Sequence, residues 1–160
     1  MDLLAYWKWE TYLRDQRRSL GFTFNSNQRR LFNDIEPGDR LWLVSGRPDP
    51  YQGTTYVLLS VLHVTEKAAS FPLLNEYGKH YRVFGDPEKS MDFDPDHQDM
   101  TSVLMQLHFS PPRPIQCPEK IGQSLQTIRA LSPSDEKLLE EYAARLRTIR
   151  LSRLRGLEAQ

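Results

Sequence analysis

FTFNSNQRRLFNDIEPGDRLWLVSG, Phe22 to Gly46, is the stretch on which the reading of this chain turns. It opens on two phenylalanines and two asparagines, passes through an arginine pair, and ends in an apolar run behind Pro-Gly-Asp. Leu31, Phe32 and Ile35 fall on one side at helical spacing, so Gln28–Ile35 is predicted to be a short helix, capped by Ser26 or Asn27 and stopped by Pro37. Pro37-Gly38 suits the centre of a type II turn, because proline fixes φ and glycine accepts a positive φ. A strand over Arg40–Ser45 follows at once. Phe22–Asn27 reads as the loop ahead of the helix, with an edge strand over FTFN as the alternative.

Toward the N-terminus, LLAYWKW (Leu3–Trp9) reads as a first strand with Trp7 and Trp9 on one face and Lys8 on the other. Glu10–Ser19 is predicted to form a short helix ended by Gly21. Toward the C-terminus, RPDPYQG (47–53) reads as loop, and TTYVLLSVLHVTE (Thr54–Glu66) as a long central strand. FPLLNEYGK (71–79) looks like a helical turn, HYRVFGD (80–86) a short strand, and SVLMQLHF (Ser102–Phe109) a strand by its alternation. Four prolines keep SPPRPIQCPEK (110–120) irregular, and QSLQTIRAL (123–131) is a short helical pattern. Ser132, Pro133 and Asp135 then signal a capped helix that runs to Arg155, with Leu138, Leu139, Tyr142, Leu146 and Ile149 as its apolar stripe. Short, mostly consecutive strands among short helices predict an α+β fold with an antiparallel, barrel-like sheet. Residues 1–130 form the domain; 131–160 form a basic amphipathic helix that packs on it or leads to an effector domain.

The 160 residues carry 21 Lys+Arg and 21 Asp+Glu, so no global basic field marks a nucleic-acid partner and any such partner is held locally. The charge is uneven. Arginines 14, 17, 18, 29 and 30 surround the opening stretch, and six acids fall between Asp86 and Asp99. Cys117 is the only cysteine, which rules out an internal disulfide. No zinc-type His or Cys spacing, glycine-rich phosphate loop or Gly-x-Ser-x-Gly elbow is present, and the acidic loop DFDPDHQD (92–99) lacks the glycine and closing glutamate of a hand-type calcium site. The expectation is a binding domain, not an enzyme, with no metal and no cofactor. Nowhere do about 18 apolar residues run together, so no membrane partner and a cytoplasmic setting are expected.

Aromatic residues cluster around the opening stretch: Trp7 and Trp9 before it, Phe22 and Phe24 within it, Trp42 at its end. Rings at a sheet edge can wall a pocket for a flat base, with stacking worth roughly 1–3 kcal/mol per base. Asn25 or Asn27 both donates and accepts, as a base edge requires, and Arg29 and Arg30 stand where phosphates approach. The plainer reading is that the tryptophans are core and the asparagines cap a helix.

Tyr6-Trp7, then Asn25 at the end of a loop, a short helix, the Gly38-Asp39 turn and the strand Leu41–Ser45 together resemble the EVE domain, a member of the PUA-like group that includes YTH and ASCH domains. The sequence departs from that pattern in having phenylalanines near Leu20–Phe24 where many relatives carry tryptophan, and in lacking Lys-Ser-Glu after the first strand. The resemblance implies a curved antiparallel β-barrel flanked by short helices, with a pocket that receives a flipped base. It further implies a reader of 5-methylcytosine or 5-hydroxymethylcytosine in double-stranded DNA, the specificity domain of a modification-dependent restriction or defence system whose nuclease is fused or separate. On that reading Trp7 and Trp42 are the leading walls, with Trp9, Phe22, Phe24 and Tyr81 as alternates. Asn25 reads the base edge, Ser26, Asn27 and Ser45 assist, and Arg17, Arg18, Arg29 and Arg30 hold the backbone. An RNA-binding domain of the same fold and a protein-interaction domain without a pocket are the alternatives. An enzyme acting on a small molecule, with Glu10 as its carboxylate, is a third.

Overall fold

Apolar residues follow one another along the central strands without alternation because both faces of the sheet are covered. Leu41, Leu43, Val57 and Leu59 enter one cluster with Trp7, Phe24, Leu31 and Ile35. Their neighbours Trp42, Val44, Leu58 and Val61 enter a second, with Leu104, Leu107, Phe109 and Leu139. These positions come from a computed structural model, which describes residues 1–17, 21–51, 53–69 and 81–149.

The elements are β1 (Leu3–Tyr6), α1 (Trp9–Arg17), β2 (Thr23–Ser26), α2 (Arg29–Asp34), β3 (Arg40–Asp49), β4 (Gly53–Ala69), β5 (Tyr81–Gly85), β6 (Met91–Asp92), α3 (Thr101–Gln106), α4 (Ile121–Ser124), β7 (Arg129–Ala130) and α5 (Pro133–Ala143). Seven strands form one sheet in the order β2-β5-β4-β3-β1-β7, with β6 beside β4. The fold is α+β, as expected, but the sheet is open and not a closed barrel, and it is not purely antiparallel: β1 runs parallel to β3 in the register Leu3 to Leu41 through Tyr6 to Val44. β4 pairs with β3 over Gly53–His63 and with β5 over Val64–Ala69, with bulges at Leu43/Val44 and Val64/Glu66. Each bulge sharpens the local twist, and the sheet curls.

Signals set within a few residues appear where expected. Asp39 N–H donates to Glu36 O at 3.0 Å and Gly38 takes φ +98°, a value that suits glycine, so Glu36–Asp39 makes the tight turn before β3. Ser132 and Asp135 form the reciprocal capping box of α5. Asp135 also accepts from the N–H groups of His108 and Phe109, both at 2.8 Å, and so ties the proline-rich segment to this helix.

Other segments differ. SVLMQLHF begins as helix α3, because Met100, Leu104 and Leu107 are buried together at helical spacing and Asp99 Oδ1 accepts from Thr101 N–H at 3.0 Å. FTFN is the edge strand β2, not loop, through four-residue pairing with β5. The first strand ends at Tyr6 and Trp9 opens α1, so Trp7 and Trp9 do not share a strand face. β3 extends to Asp49 and shortens the expected loop, while 123–131 holds the end of α4 and then β7 instead of one helix. α5 stops at Ala143, short of Arg155. The chain then returns to pair Thr148 with Phe93, and Leu139 buries fully in the second cluster. The helical turn expected over 71–79, Arg18, and the arginines 150, 153 and 155 lie outside the described residues.

Two polar side chains organise the second face. Asp2 Oδ2 accepts from Trp42 Nε1 at 3.0 Å and from Arg40 Nε at 2.7 Å. Gln98 pairs with β4 by its side-chain amide, accepting from Leu58 N–H at 2.8 Å and donating to Leu58 O at 2.9 Å. A glutamine here does the work of a neighbouring strand.

Burial opposes ionisation of Asp135, but the donors from His108, Ser132 and Phe109 outweigh it and hold its carboxyl below the usual range. A lowered carboxyl stabilises the fold fully above its unfolded-state value of about 3.9, and that contribution fades as pH falls through the lower folded-state value. Asp135→Asn should lower unfolding free energy at pH 7 by about 2–3 kcal/mol, since one oxygen that accepts N–H groups is replaced by a donor. Denaturant titrations from pH 7 to pH 2 should show the gap between wild type and variant narrowing at the acid end. A constant gap would remove Asp135 ionisation from the account.

Candidate functional site

The curl brings the two ends of the sheet together. β2 and β7 are the terminal strands of the order, yet Gln28, two residues beyond β2, reaches the chain leading into β7. Its Nε2 donates to Gln126 O at 2.9 Å and its Oε1 accepts from Ile128 N–H at 3.1 Å, so one side-chain amide makes the donor and acceptor pair of a strand residue. Beneath this seam Trp7 and Phe24 meet edge to face, with centroids 5.6 Å apart. Above it lies a depression of about 470 Å³.

Three segments shape the depression. Tyr6, Trp7, Lys8 and Thr11 come from the end of β1 and the start of α1. Residues 24–28 supply Phe24, Asn25, Ser26, Asn27 and Gln28, and Gly122 with Gln126 complete the third side. Its floor is aromatic and its rim carries four side-chain amides, Asn25, Asn27, Gln28 and Gln126, with Lys8 as its one charge. Among the described residues no carboxylate and no histidine lines it, and its ionisable side chains are Tyr6 and Lys8. Gly122 is held by Tyr56, whose hydroxyl is raised above its ordinary value by burial and then by the Tyr6 phenol, against the Gly122 backbone contact that lowers it.

Asn25 borders the depression from β2, with its side chain turned to the face opposite Phe24. Its Oδ1 accepts from Arg82 Nε at 2.6 Å, which orients the group and leaves the Nδ2 donors unengaged among the described residues. Ser26 is buried and its Oγ accepts from Gln28 N–H at 3.0 Å, so it shapes the turn into α2; the cap position itself is Gln28. Asn27 is exposed on the rim.

Several expected site residues lie elsewhere. Trp42, 2% exposed, faces the opposite cluster, where the turn and the Asp2 carboxylate hold it; it is core and does not line the depression. Ser45 and Phe22 are buried away from it, Trp9 packs on Tyr12 with centroids 5.3 Å apart, and Tyr81 packs on Phe32 at 5.5 Å. Trp7 itself is 2% exposed and wedged edgewise between Tyr12 and Phe24, so the two-walled sandwich is replaced by a floor of ring edges. Arg29 is exposed on α2, and Arg30, paired with Asp34 at 3.2 Å, borders a different groove. Arg17 ends α1, and its side chain, like Arg18, lies outside the described residues. Sequence reasoning missed Gln28, Gln126, Thr11 and Gly122, whose roles depend on contacts between distant segments.

No model of a known protein family matches the sequence, and no curated protein matches it. Among the described residues no helix is long and apolar enough to cross a membrane, and no group of three or more acidic, His or Cys side chains is placed to hold a metal.

Gln28→Met keeps the reach of the side chain but removes both the donor to Gln126 O and the acceptor for Ile128 N–H. It should lower stability by about 0.5–1.5 kcal/mol, because a solvent-accessible carbonyl and a part-buried N–H lose their shared partner. Amide hydrogen exchange should quicken at Ile128 and leave the β3–β4 ladder protected; unchanged exchange at Ile128 would show that the seam does not depend on this amide.

Proposed function

We propose that the protein is a nucleic-acid-binding module that takes one extruded base into the depression over Trp7 and Phe24. A single observation carries this reading: aromatic side chains are bordered by the amides of Asn25, Asn27 and Gln126, with Lys8 the one charge and no carboxylate among the described residues, a combination that suits a flat ring with donors and acceptors on its edge. Extrusion of a base costs a few kcal/mol, which contact with the floor and hydrogen bonds to the rim must offset. Asn25, fixed by Arg82, is the residue assigned to the base edge. Its free donors face acceptors such as O2 or N3 of a pyrimidine. The order Tyr6-Trp7, Asn25, Gly38-Asp39, which resembles EVE domains, favours 5-methylcytosine or 5-hydroxymethylcytosine in duplex DNA within a PUA-like scheme. On this reading the depression binds a base and does not cut, and any strand cleavage linked to recognition belongs to a separate nuclease.

The test is a titration of matched duplexes carrying cytosine, 5-methylcytosine or 5-hydroxymethylcytosine, beside RNA of the same sequence. A modified duplex should bind about tenfold more tightly than the unmodified one, a difference of about 1.4 kcal/mol. Asn25→Ala should erase that preference, and Thr11→Trp, which fills the depression from α1, should do the same without disturbing the core. Equal binding of every duplex by wild type and both variants would sink the base-reading function, and tighter binding of RNA would replace DNA as the partner.

A further inference from the structure

A second groove of about 450 Å³ lies on the far side of the 121–127 segment from the base-binding depression. Gly122 and Gln126 line the depression, whereas Gln123, Ser124 and Thr127 line the groove. Among the described residues four cations border this groove, Arg30, Arg113, Lys120 and Arg129, and no carboxylate does. In a chain of formal net charge zero, such crowding calls for an external anion.

The cations are not arranged alike. Arg129 is built in: its guanidinium lies 3.9 Å from the Phe109 ring centroid, and it donates to Arg113 O at 2.8 Å. Burial, then the neighbouring Arg113 and Arg30, lowers its pKa, which reports the same like-charge crowding. Arg113 and Lys120 are exposed and stand on the proline-rich segment and on the turn before α4; Lys120 reaches only the neutral Gln116 Oε1, at 3.2 Å. Among the described residues Arg30 is the one member with an acidic partner, the exposed Asp34. Ser110, Ser124 and Thr127 add hydroxyl groups along the wall. A held planar cation with two exposed ones and hydroxyls along the same groove is the donor set that phosphate oxygens require.

We propose that this groove is a phosphodiester-binding site, which holds the nucleic-acid backbone next to the extruded base. The assignment rests on the base-reading function only for the identity of the strand it holds. It moves the backbone contact from the α1 and α2 arginines to Arg113, Lys120 and Arg129, with Arg30 as the shared member.

The experiment uses the full chain with Arg113→Gln/Lys120→Gln, two exposed positions whose replacement leaves Arg129 in place, and Arg145→Gln as a surface control. Unchanged thermal midpoints confirm that the variants fold. The double variant should bind modified and unmodified duplexes more weakly by the same factor, and its log-affinity against log-salt line should be less steep by about 2. Arg145→Gln should bind as wild type. If the double variant matches wild type in affinity and salt slope while Asn25→Ala still erases the modification preference, the groove assignment is overturned and the base-reading function stands. If wild type shows no preference for modified duplexes yet the double variant loses affinity and slope, the groove stands and the base-reading function falls. Equal loss in Arg145→Gln would overturn the groove as a backbone site.

Discussion

One strand serving three partners sets the shape of this protein. β4 runs for seventeen residues, pairs with β3 along its first part, meets β6 on its other edge, and pairs with β5 from Val64 on, across a bulge at Val64/Glu66. No flat sheet satisfies those pairings with both faces buried, and the sheet curls. The curl gathers Trp7, Phe24, Leu31 and Ile35 inside and leaves Trp42, Val44 and Leu58 to be covered by α3, α5 and the proline-rich segment. It also brings β2 within reach of the chain ahead of β7, and the depression exists only because those ends meet.

The features legible in the sequence were those determined within about four residues. Pro37-Gly38 turns the chain and Ser132 with Asp135 caps α5 because both devices are local hydrogen-bonded geometries. The strands β3 and β4 announced themselves by apolar, β-branched runs. SVLMQLHF was illegible because Val103, Met105 and Leu107 alternate while Met100, Leu104 and Leu107 also recur at helical spacing, and only packing against the second cluster selects the helix. Strand pairing of FTFN likewise depends on residues 81–84, far along the chain.

The candidate site divides in the same way. Trp7, Phe24, Asn25, Ser26 and Asn27 were nominated by their clustering in sequence and do line one depression. Trp42 shared the aromatic signal, but strand alternation turns it to the other face, where Asp2, forty residues earlier, takes its indole N–H. Gln28 carried no signal at all, since its partners lie 98 and 100 residues away. The basic groove was hidden for a related reason: Arg30 and the cations at 113, 120 and 129 come together only when the proline-rich segment folds back over β7.

Gln28 and Gln98 each lend an amide to a backbone edge, but their settings differ. Gln98 supports a strand already held on its opposite edge by β3, whereas Gln28 spans a gap that no strand crosses. The circumference of the curl at this point is therefore gauged by the length of one side chain. Asparagine carries the same amide and is one methylene short of the span; lysine and methionine have the reach and lack the paired donor and acceptor. Glutamine alone among the uncharged side chains has both, and it acts as the caliper that sets how wide the mouth of the depression stands.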